Sequence, residues 1–105
     1  MSNAHYIGPM NLPMIVSFRH KGLQELFNEG ETRRLPQERI PKFIRLLEIL
    51  HSAEELSDID HPGLRLHKLK GGLEGFYSID VSANYRLIFR FVKGDIVDLD
   101  YLDTH

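Results

Sequence analysis

Hydrophobic positions follow a helical period in the first half of the chain and a strand period in the second. Residues 14–18 form a short apolar run that predicts a strand, after which Leu23, Leu26 and Phe27 recur at helical spacing until Gly30, a helix stop. Ile40, Phe43, Ile44, Leu47 and Leu50 fit the i, i+3, i+4, i+7 template and predict a second, longer amphipathic helix. Pro36 suits a first helical turn, but Pro41 would then clash with an earlier carbonyl, so the start is expected near Arg39. Ser52 and Glu55 have capping-box spacing and predict a short third helical turn that ends before His61-Pro62-Gly63.

Beyond that point residues 64–69, 76–81, 85–92 and 96–102 read as strands, separated by Gly71-Gly72, Ser82-Ala83-Asn84 and Lys93-Gly94. Strands joined by short turns make a meander. The expected class is α+β, with two N-terminal helices packed on one face of a largely antiparallel β-meander sheet. In residues 85–92 the alternation puts Tyr85, Leu87, Phe89 and Phe91 on a core face and Arg86, Ile88, Arg90 and Val92 on the other, which is left open to a ligand carrying phosphate or carboxylate. With no repeat or linker, residues 14–105 are expected to form a single domain. Residues 1–13 carry no Asp, Glu, Lys or Arg, and Ser2-Asn3-Ala4 looks like a tag scar; this stretch reads as a tag remnant or disordered leader, with Met10 or Met14 as the native start.

A chain of 105 residues supports one modest core, and 42% hydrophobic with 27% charged residues is ordinary for a folded protein. The absence of cysteine excludes disulfide frameworks, thiolate metal sites and cysteine nucleophiles. No apolar run approaches the roughly 20 residues of a membrane span and no signal sequence is visible, so a cytoplasmic location is expected. The net charge of −2 runs against a nucleic-acid partner, but it hides an asymmetry. Arg65, His67, Lys68 and Lys70 crowd into six positions, while Asp95, Asp98, Asp100 and Asp103 fall within the last eleven. Local charge would have to guide such a ligand.

Only the basic residues of the 65–70 strand, Arg86 and the closing Asp103-Thr104-His105 suggest a reactive site. Cleaving RNA without a metal uses the substrate's own 2′-hydroxyl as nucleophile, so a protein need supply only a base, an acid and cations for the phosphorane-like charge. His105 can act as acid or base near neutrality, Arg86 offers a bidentate fork, and Lys70 a point charge or a base. Structural readings compete with these. A terminal His is commonly a frayed end, a basic strand can be a solvated face or a patch for a protein partner, and Arg86 can pair with Asp80 or Asp98 across the sheet. His20, His51 and His61 lack metal-ligand spacing and read as surface or loop residues; Asp98 and Asp100 lie on a solvent face with no Gly-bearing loop, so no metal or other cofactor is expected.

Five stretches stand in a particular order. They are Met14-Ile15-Val16-Ser17-Phe18-Arg19-His20-Lys21-Gly22-Leu23, Arg65-Leu66-His67-Lys68-Leu69-Lys70-Gly71, Gly75-Phe76-Tyr77-Ser78-Ile79, Asn84-Tyr85-Arg86-Leu87-Ile88-Phe89, and Gly94-Asp95 with Tyr101-Leu102-Asp103-Thr104-His105. In that order they resemble the HigB-like toxins of the RelE/ParE superfamily, over essentially all of residues 14–105. The resemblance implies the toxin of a type II toxin–antitoxin pair, an endoribonuclease that cuts messenger RNA in the ribosomal decoding site without a metal. It also implies a HigA-like helix-turn-helix antitoxin, through which the pair would reach its operator DNA. Lys70, Arg86, Asp103 and His105 match positions the family uses for cleavage, and Arg65, His67, Lys68 and Arg90 are the expected RNA-binding residues. The chain has Ser82 where some members have Arg, and Thr104 where some have Tyr, departures that imply weaker activity, a shifted codon preference, or substitution by neighbouring Arg65 or His67. Two rival readings follow from the same residues: a toxin of this fold that binds DNA gyrase, against which His105 weighs, and a non-catalytic adaptor whose basic strand docks an acidic protein segment.

Overall fold

The computed structural model describes residues 15–103; the expected leader, with Met14, and the closing Thr104-His105 lie outside the described residues. Two α-helices, α1 (Lys21–Glu29) and α2 (Ile40–Ser52), are followed by four strands, β1 (His67–Lys68), β2 (Phe76–Asp80), β3 (Tyr85–Val92) and β4 (Asp95–Asp103). The strands lie side by side in chain order and every neighbouring pair is antiparallel, as a meander requires. The helices do not stand ahead of the sheet as a separate block. Ile15 and Phe18 first bridge Ile96 and Leu99 of β4 in parallel, so the chain touches the sheet's last strand before it enters α1.

Helix α1 ends where expected, because Gly30 takes the left-handed conformation (φ 71°) and its N–H bonds back to Leu26 O. A 3₁₀ turn at Gln37–Arg39 leads into α2, whose first turn accommodates Pro41 without a lost hydrogen bond. The third helical turn, Leu56–Asp58, is capped by Glu55 and Asp58 rather than by Ser52 and Glu55. Ser52 instead closes α2, with its hydroxyl donating to Glu48 O at 2.9 Å.

One core joins the layers. Leu23 and Leu26 of α1 and Phe43, Leu46, Leu47 and Leu50 of α2 pack with Ile79, Leu87, Phe89, Ile96 and Leu99 of the sheet. Each fully buried side chain of this size contributes about 1.5–3 kcal/mol.

His20 and His51 depart from the surface reading. His20 N-caps α1, its Nδ1 accepting the Leu23 N–H at 3.2 Å, and its ring meets Tyr101 edge-on at 5.7 Å. His51 lies edge-on to Phe27 at 5.1 Å. Burial lowers the pKa of both from the ordinary 6.5, against a smaller upward pull on His20 from Asp100. Both imidazoles are held neutral in the fold, so below about pH 6.5 the unfolded chain binds protons more readily than the folded one. Their stabilisation is full above that pH and is lost as the pH falls through the lowered values. The urea midpoint is therefore expected to drop between roughly pH 7 and pH 5, and His20→Asn, a cap that does not titrate, should flatten the slope. An unchanged slope would remove His20 from the explanation.

Candidate functional site

Register defines a sheet face directed away from the helices. Phe76 stands opposite Arg90, Ser78 opposite Ile88 and Asp80 opposite Arg86, and His67 of β1 faces Ser78. The residues between them, Tyr77 with Phe89 and Ile79 with Leu87, point into the helix-side core. Alternation thus works as expected, with one difference: Ile88 and Ser78 on the second face are almost fully buried, at 2% and 0% exposure.

Asp80 organises one end of this face. Its carboxylate receives Arg86 Nη1 from across the ladder and Arg65 Nε at 3.1 Å from the chain preceding β1. Of the partners open to Arg86, Asp80 is the one taken; Asp98 instead accepts from Arg90 Nε at 3.1 Å. Arg65 reaches Asp80 from an unusual backbone, with φ at 54°. That left-handed residue breaks the extended run expected over 64–69 and leaves β1 with His67 and Lys68 alone. Both nitrogens of His67 are engaged: Nδ1 lies 3.0 Å from Arg65 O and Nε2 lies 3.3 Å from Ser78 Oγ. A carbonyl only accepts, so in the neutral ring Nδ1 carries the proton and Nε2 accepts from the serine hydroxyl.

The remaining sequence candidates are spread along the same sheet. Asp103 ends β4 opposite Tyr85, next to the Arg86–Leu102 pair; it lies at the Arg65, His67 and Arg86 end of the sheet but, like Tyr85, on the other face of the pleat. Lys70 lies at the other end, where the Leu69 N–H bonds Phe76 O, and with Lys68, Glu74, Phe76 and Tyr77 it lines a cavity of about 370 Å³. Lys68, opposite Tyr77, departs from the other face of the pleat. Arg90 is exposed and lies four residues along β3 from Arg86, or about 13 Å at 3.3 Å per residue. His105 lies outside the described residues. Local patterning alone does not single out Ser78 or Arg19, whose guanidinium lies 5.1 Å above the Phe76 ring; their roles come from cross-strand and tertiary neighbours. Among the described residues no group of His, Asp or Glu is arranged to hold a metal ion, and no helix is long and apolar enough to cross a membrane.

A family profile described as the RelE-like toxin of type II toxin-antitoxin system HigB matches residues 16–105. The chain belongs to this family. It is 40% identical over 92 residues to Endoribonuclease HigB of Proteus vulgaris, an alignment covering 88% of this chain and 100% of that relative. Toxin HigB-1 of Vibrio cholerae is 38% identical over 94 residues, covering 88% of this chain and 98% of its own. A solved structure described as a YoeB/ParE toxin from Agrobacterium tumefaciens aligns over 85% of this chain and 98% of its own at a TM-score of 0.46 and 17% identity, too distant to carry an argument. As a type II toxin the protein has an antitoxin partner. The matched span contains the Asp80 cluster and every sequence candidate, and Ser82 falls in the turn after β2, its N–H bonded to Tyr85 O at 3.1 Å.

Proposed function

We propose that this HigB-family toxin is an endoribonuclease that cuts messenger RNA in the ribosomal decoding site through the substrate's own 2′-hydroxyl, with neither metal nor other cofactor. The observation that carries this reading is the Arg65–Asp80–Arg86 cluster beside a doubly hydrogen-bonded, exposed His67. Asp80 fixes two guanidinium forks before any ligand arrives, and such preorganised donors favour the charge that develops on the phosphorane. Arg65 brings its cation to Asp80, two positions before Ser82, and so supplies positive charge near the residue where some relatives have Arg.

In this scheme Arg86 grips the scissile phosphate, while Asp103 and His105 handle the proton that leaves the 2′-hydroxyl and the one that reaches the departing oxygen. Lys70 contributes a cation from the opposite end of the face. Arg65, His67, Lys68 and Arg90 hold the RNA, and its 2′-hydroxyl distinguishes it from DNA. A HigA-like helix-turn-helix antitoxin neutralises the toxin in the cytoplasm and carries it to operator DNA.

Inducing the chain in a bacterium that lacks the antitoxin is expected to arrest growth and leave cleaved messenger on ribosomes. Arrest with intact messenger would indicate gyrase as the target, and undisturbed growth would favour the adaptor.

A further inference from the structure

We propose that Arg19 and Arg90 form a second RNA-phosphate site, at the end of the sheet face remote from the Arg65–Asp80–Arg86 cluster. The proposal rests on the ribonuclease reading and extends its RNA path. Its basis is a bulge in β4. Opposite β3, the register passes from Ile88–Asp100 to Arg90–Val97, so that Asp98 and Leu99 together face Phe89. Asp98 occupies the left-handed region at φ 55°, and its N–H donates to Ser17 Oγ at 2.8 Å.

The bulge places both arginines. On one side Asp98 holds Arg90 through Nε, leaving both Nη groups without a hydrogen bond among the described residues. On the other side Leu99 O accepts the Arg19 N–H at 2.8 Å and fixes the segment before α1 along the β4 edge. From there Arg19 extends over Phe76, the residue directly opposite Arg90. Arg19 therefore covers the ring of the residue that stands across the ladder from Arg90, and the two cations share one end of the sheet. Arg19 is exposed and forms no ion pair among the described residues, so its charge is uncompensated.

Lys70 adds positive charge at this end of the sheet and Glu74 opposes it, while Lys68 leaves from the other face. The two arginine sites are separated by about 13 Å along β3, more than the reach of a single nucleotide. A single strand gripped at Arg86 and running along β2 and β3 meets Arg19 and Arg90 next, and this continuity favours RNA over an acidic protein segment as the occupant.

The test is fluorescence anisotropy of the full chain with a short, fluorescein-labelled, 2′-O-methyl RNA across a salt series. Arg19→Gln and Arg90→Gln are each expected to weaken binding several-fold at low salt and to lower the slope of log K against log salt by about 0.7. Arg19→Lys should keep the slope. Arg19→Met, which leaves an apolar stem over Phe76, should lose it while retaining the wild-type melting temperature. Unchanged slopes in both Gln variants, with Arg86→Ala lowering it, would overturn the second site and leave the RNA reading intact. No RNA binding by the wild type would overturn the second site, with messenger cleavage on ribosomes remaining the separate test of the ribonuclease reading, and a loss confined to antitoxin binding would assign the patch to a protein partner.

Discussion

Replacing Arg86 with Ala is expected to slow cleavage of ribosome-bound messenger by a factor on the order of 10² to 10³, the usual cost of removing one preorganised donor from a developing oxyanion. The structure also predicts that the variant stays folded. Arg86 and Asp80 have side chains only 25% and 21% exposed, yet Asp80 keeps Arg65 as a partner when Arg86 is lost, so no buried charge is left unpaired. A cross-strand ion pair of this kind is worth roughly 1 kcal/mol or less, too little to unfold a domain. Arg86→Lys should recover only part of the rate, because an ammonium cannot reproduce the planar fork. Single-turnover cleavage beside a melting curve separates the two effects; a slow enzyme with a collapsed melting temperature would make Arg86 a structural residue.

The largest effect on stability is expected from Phe43→Ala. Phe43 is fully buried in α2 and its ring meets Tyr101 of β4 edge-on, with centroids 5.0 Å apart. Removing it deletes helix–sheet packing at the point where both layers meet, at a cost of about 3–5 kcal/mol. Against a total stability of about 5–15 kcal/mol that is a large fraction, and at the lower end of the range it leaves much of the toxin unfolded at growth temperature. The variant should be harmless to cells although it alters no charged residue. Urea denaturation checks this, and a loss below about 1 kcal/mol would contradict the account of the core.

How much was legible in the sequence depends on how local the determinant is. Strand β3 occupies the residues its alternation marks, because every second side chain must enter the core. The predicted 64–69 strand shrinks because Arg65 adopts a left-handed backbone, a choice that hydrophobic patterning does not encode. The capping box moves by one turn because Ser52 has a better acceptor in Glu48 O, within its own helix. His20 caps α1 although it is not a residue that patterning would choose for an N-cap.

The site divides in the same way. Arg65, His67, Arg86 and Asp103 could be named from their strands, and register gathers them at one end of the sheet. The distance of Lys70 from that end was not legible, because it depends on how the hairpins align, whereas that of Arg90 follows from its place four residues along β3. Arg19 and Ser78 acquire their roles from partners remote in sequence, Phe76 for one and His67 for the other.

The most direct measurement of the central claim is cleavage, on programmed ribosomes, of a messenger carrying a single 2′-deoxy nucleotide at the mapped cut site. If the substrate's own hydroxyl is the nucleophile, the deoxy messenger stays intact at that position while the all-ribose control yields a 2′,3′-cyclic phosphate and a 5′-hydroxyl end. Equal cleavage of the two messengers, with 5′-phosphate ends, would mean that water is the nucleophile and would contradict the account.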